Sequence, residues 1–161
     1  MPDELRAQLV QLLRGGHAHM SFEDAMLGFP AWAINERAAH MTYTPWHLVE
    51  HLRITQWDML RYIEDPTGHK SPDWPIGYCP SPDAETEEAG FQASVEQFLS
   101  DRRAMEAVAL DERRDLVAVL EGTPGHTPLR GLQIIGNHNS YHLGEFASLR
   151  QVMDSWPPGR S

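Results

Sequence analysis

The chain is poor in cysteine: Cys79 is the only one in 161 residues. A single thiol excludes an internal disulfide framework and any zinc site built from cysteines. Long apolar runs are missing too. No stretch of about eighteen apolar residues occurs, so no transmembrane helix is expected. The opening residues, MPDELRAQLV, lack a basic segment followed by an apolar one, so they do not read as a secretory signal. A cytoplasmic location is the expectation. Cations are scarce as well: 13 Lys and Arg stand against 23 Asp and Glu, for a formal net charge of −10. The basic residues form no separate patch, since DRRAMEAVALDERRDL interleaves both signs as a solvated helix face does. Such a surface repels phosphates, so neither nucleic acid nor a membrane is expected as a partner.

What is present is an ordinary globular composition, 41% apolar and 22% charged, in a length that suits one domain over residues 1–161. Nine histidines stand out, because imidazole is the commonest side-chain ligand of transition metals.

Helical signals dominate. Asp3 is read as the cap of a helix running to about Arg14, with Leu5, Leu9, Leu12 and Leu13 as its stripe, stopped at Gly15 and Gly16. Ser21 opens a short helix. Thr44 followed by Pro45 starts a strong one that ends at Asp65. Residues 66–82 carry five prolines and two glycines, which no helix survives; Trp74, Ile76 and Tyr78 suggest that this loop is packed. Ser81 and Pro82 are read as the start of the third long helix, reaching about Leu110. A short helical turn is expected after Asp115. Thr127 and Pro128 repeat the cap-then-proline signature for a last helix to about Met153. With no strand alternation, these elements imply an all-α fold: an antiparallel four-helix bundle with a long Pro-rich loop between its second and third long helices.

NHNSYHLGE, residues 137–145, carries the chemistry. His138 and His142 are four apart, and at about 3.6 residues per turn their rings share one face. Gly131, Ile135, His138, His142, Glu145 and Leu149 recur at threes and fours, the spacing of a core seam. Two histidines in a seam need partners, which a metal ion supplies. The Thr44–Asp65 helix offers His47 and His51, again four apart, and spacing alone does not choose between them. One of these with His138 and His142 makes a three-histidine site with open positions. Glu145, one turn beyond His142, is the candidate general base or orienting carboxylate. Glu50 and Asp58 are weaker candidates. Cys79 is weighed as a fourth ligand or redox thiol, and His17, His19, His40, His69 and His126 are read as solvated. Gly131, Gly136 and Gly144 in one helix point either to close packing or to plain tolerance of glycine.

TPWHLVEHLRITQWDML, PDWPIGYCP, FQASVEQFLSDRRAM and TPLRGLQIIGNHNSYHLGEFASLRQVM, in this order, resemble the DinB-like superfamily of metal-binding four-helix-bundle proteins. The resemblance runs from about residue 17 to the C-terminal end. It implies that the second-helix ligand sits five residues after a tryptophan, here Trp46, which selects His51 over His47. His138 and His142 match the other two ligands. Glu145 stands where the family often has Gln, and Tyr78-Cys79-Pro80 where it has Tyr-Trp-Pro.

The implied cofactor is a divalent transition metal, zinc or nickel. The implied activity is a thiol S-transferase using a low-molecular-weight thiol as its small-molecule substrate. A hydrolase using metal-bound water, or a non-catalytic metal-binding stress-response protein, are the alternatives. Pairing into a homodimer is a further expectation of the resemblance.

Overall fold

The computed structural model describes residues 2–159. All regular structure among them is helical: α1 (Asp3–Arg14), α2 (Phe22–Met26), α3 (Pro45–Glu64), α4 (Glu88–Leu110) and α5 (Pro128–Val152), with single 3-10 turns at Ala31–Ala33 and Ile76–Tyr78. None of these helices is long and apolar enough to cross a membrane.

Caps explain the clearest boundaries. Thr44 Oγ1 accepts the His47 backbone N–H, and the Thr44 N–H donates back to His47 Nδ1 at 3.1 Å, a capping box closed by an imidazole. Thr127 caps α5 through the Arg130 N–H, with Pro128 at the first helical position. Other boundaries depart from expectation. Asp3 lies inside α1, whose cap position is Pro2. Ser81 and Pro82 do not start α4; they form a turn closed by Ala84 N–H on the Ser81 carbonyl at 2.9 Å. Asn35 holds the next stretch out of the helix: its Nδ2 donates to Thr86 O at 2.8 Å and its Oδ1 accepts Thr86 N–H at 3.1 Å. Residues 111–127 hold turns and no helical segment.

Helices α3 and α5 run antiparallel, as His51 facing His138 and Ile63 facing Gly131 require. Helices α1 and α4 are antiparallel too, with Arg6 donating to the Ala109 carbonyl at 2.8 Å and Arg14, further along α1, donating to Glu106 Oε2 at 2.6 Å. Strict alternation fails for α3 and α4, which lie side by side and run the same way. His47 meets Ser81, Gln56 meets the Phe98 carbonyl and Ile63 O meets Arg114. The physical reason is residues 65–87, long enough to return along a helix of about 30 Å, whereas only a short link forces antiparallel neighbours.

The core has two apolar layers. Leu9, Leu13, Leu60, Ile63, Met105, Leu116, Leu132 and Ile135 form one; Phe22, Leu48, Val49, Leu52, Phe91, Phe98, Leu143 and Phe146 form the other. Between them Gln56, fully buried, donates to Phe98 O at 2.7 Å and accepts from Asn139 at 3.0 Å. This polar stitch satisfies both amides and fixes α3 against α4 and α5.

Candidate metal centre

The buried stripe of α5 runs through Gly131, Leu132, Ile135, Gly136, Asn139, Leu143, Phe146, Leu149 and Arg150. The expected seam thus holds at Gly131, Ile135 and Leu149. In the middle it drifts, placing His138, His142 and Glu145 half-buried at its rim. His51 of α3 faces them across the helix pair. Of the two α3 histidines, only His51 joins. His47 is buried in the α3 cap and its Nε2 meets Ser81 O at 3.0 Å.

His51, His138 and His142 each offer one nitrogen, and the three atoms lie within 4.8 Å of one another. The closest pair is His51 Nε2 and His138 Nε2, 3.0 Å apart. The far side of each ring explains which nitrogen is offered. His51 Nδ1–H donates to the Tyr78 carbonyl at 2.8 Å, and a carbonyl only accepts. His142 Nδ1–H donates to Glu145 Oε2 at 2.6 Å. His138 Nδ1 faces Asn139 Oδ1 at 3.4 Å and Thr55 Oγ1 at 3.5 Å, longer contacts of the same sense. With protons held on Nδ1, the Nε2 lone pairs point inward. A tetrahedral zinc with bonds of about 2.0–2.1 Å spaces its nitrogens by about 3.3 Å, so the donor set fits a divalent transition metal.

Electrostatics agree. Loss of solvent lowers His138 to about 4, helped by repulsion from His142 and His51. Loss of solvent also lowers His51, against the pull of the Tyr78 carbonyl. Both rings are therefore neutral at neutral pH, the state an imidazole needs in order to ligate. Glu145 is engaged at both oxygens, by His142 and by the Tyr43 phenol. Burial and Glu145 in turn raise Tyr43, which stays a proton donor.

A cavity of about 360 Å³ adjoins the cluster, lined by Thr42, Tyr43, His47, Leu48, His51, Cys79, Pro80, Pro82, His142 and Glu145. No lysine or arginine is among the described residues that border it. Arg53 and Arg61 are instead paired with Glu50 and Glu64 on α3. Cys79 Sγ lies 3.5 Å from His51 Nδ1, on the edge of that ring turned away from the cluster. Burial against the cavity wall raises its thiol above the usual range. It belongs to the wall, not to the ligand set.

The structure changes three readings of the sequence. Asp58 accepts from Tyr78 OH and from His69, so His69 is not solvated. His126 pairs with Tyr62 at 2.7 Å. Trp74 and Ile76 are 78% and 84% exposed, so the tip of the loop is not packed. The partners of Asp58 and His126 lie well away in sequence, and no local signal marks them.

An all-helical protein with three imidazoles converging at the rim of its core is the class that fold and site define. The family model described as the DinB superfamily matches residues 17–146, and the chain belongs to that superfamily. No curated protein and no solved structure matches the chain.

Proposed function

We propose that the protein binds a divalent metal, zinc or nickel, through Nε2 of His51, His138 and His142, and that it is a metal-dependent enzyme of the thiol S-transferase type. The inward convergence of the three Nε2 atoms, each with its Nδ1 turned to an acceptor, carries this reading. A cation held there lowers the pKa of a thiol that reaches it, and thiolate is the nucleophile in such transfers.

The chain's own groups do the rest. The adjoining cavity is large enough to admit a small molecule. Among the described residues no lysine or arginine lines it, so the part of the thiol that enters needs no carboxylate or phosphate. Glu145 orients His142 and balances charge. Both of its oxygens are taken, which favours this orienting role over that of a general base in hydrolysis.

Titration of the Co²⁺-loaded protein with 2-mercaptoethanol tests the reading. A thiolate-to-cobalt charge-transfer band in the near ultraviolet is the expected result. Absence of the band, with turnover of esters or amides in thiol-free buffer, contradicts it.

A further inference from the structure

His51 is held from behind by a group the metal reading does not use. Asp58 lies seven residues further along α3. Seven residues return to within about 20° of the same face, about 10 Å along the axis. Tyr78 spans that interval. Its carbonyl accepts from His51 Nδ1 at 2.8 Å, and its phenol donates to Asp58 Oδ2 at 2.7 Å. The other carboxylate oxygen, Oδ1, meets His69 Nε2 at 2.7 Å. Asp58 is only 8% exposed. One buried carboxylate on a rigid helix therefore holds residues 69 and 78 of the same connection.

We propose that Asp58 is a positioning residue for the histidine cluster: through the Tyr78 phenol it sets the Tyr78 carbonyl against His51, and so fixes the tautomer and ring angle that present His51 Nε2. This rests on the metal reading for its purpose and on hydrogen-bond geometry for its mechanism. A backbone carbonyl in a loop is free to rotate away from an imidazole. Anchoring the side chain of the same residue to α3 removes that freedom, because both ends of Tyr78 are then referred to one helix. The tether also reaches the cavity. Cys79 and Pro80 directly follow Tyr78 and line the wall, and His47 holds the chain again at the Ser81 carbonyl. The loop tip at Trp74 and Ile76 is exposed, so the anchoring lies in Tyr78 and not in burial of the loop's apolar groups.

Tyr78→Phe and Asp58→Asn in the full chain test the proposal, with His51→Ala as the reference for loss of the ligand. Tyr78→Phe keeps the ring and the carbonyl, so it carries the test should Asp58→Asn fail to fold. The first readout is the ¹⁵N–¹H imidazole spectrum of the metal-free protein. His51 is expected as one Nδ1–H tautomer in the parent and as a tautomer mixture in the variants. The second is Co²⁺ affinity, expected to fall about 10-fold, as losses of groups behind a ligand commonly do. A purely structural tether would lower the melting midpoint and leave both readouts unmoved, and that result overturns the proposal. Failure of the parent itself to bind Co²⁺ strikes the metal reading; the tautomer spectrum then decides the positioning role alone.

Discussion

Nε2 of His51 and Nε2 of His138 stand 3.0 Å apart, on different helices and 87 residues apart in sequence. Two imidazole lone pairs at that distance repel, and a shared cation converts the repulsion into ligation. Helix α3 supplies one ring and α5 two. Gln56 fixes the register between the helices from inside, through Asn139, the residue next to His138. The polar layer of the core and the metal centre at its rim are thus neighbours in structure as well as in sequence.

Glu145→Gln removes the carboxylate that receives His142 Nδ1–H but keeps the shape of the side chain. The glutamine is a weaker acceptor and lets His142 turn. Metal affinity is expected to fall about 10-fold, with little change in the metal-free melting midpoint. Competition with a chromophoric chelator measures it. Unchanged affinity would remove Glu145 from any role behind the ligand.

The three glycines of α5 separate by environment. A Cβ at Gly136 would lie 2.5 Å from Leu12 Cγ, and one at Gly131 would lie 2.7 Å from Ile63 Cδ1. At Gly144 a Cβ meets nothing within 4 Å. Gly136→Ala should therefore destabilise by about 1–3 kcal/mol through overpacking. Gly144→Ala should stabilise by about 0.5–1 kcal/mol by raising helix propensity. Urea midpoints of the two variants check the pair, and equal shifts of one sign would contradict it.

Acid should destabilise the metal-free protein through the cluster. An unfolded imidazole titrates near about 6.5. Burial lowers His51 and holds His138 down at about 4. Within that window the unfolded chain binds protons that the folded chain refuses. Stability is therefore full above about pH 6.5 and declines as pH falls toward about 4. Melting midpoints across this range measure the slope, and His138→Gln should flatten it. A parent and variant with the same slope would contradict the assignment.

Local chemistry explains what could be read in advance. Thr44-Pro45 and Thr127-Pro128 mark true helix starts because cap and proline act within one turn. The spacing of His138 and His142 shows that both rings share a face. Residues decided by distant partners were illegible. Ser81-Pro82 carries the same start signature, yet His47 takes the Ser81 carbonyl and Asn35 takes both backbone groups of Thr86, so α4 waits until Glu88. His47 and His51 are equivalent by spacing, and capping separates them: one ring closes the helix start while the other is free to face α5. Asp58 reads only as a weaker candidate beside Glu145 until residues 69 and 78 return to it. The direction of α4 was equally hidden, because a long link permits either sense.

Whether three Nε2 atoms share one ion is read most directly by anomalous scattering at the zinc edge, from crystals of the protein loaded with one equivalent of zinc. A single strong peak is expected at about 2.0–2.1 Å from Nε2 of His51, His138 and His142 together. A peak ligated through Nδ1, a peak elsewhere on the chain, or no peak in stoichiometrically loaded crystals would contradict it.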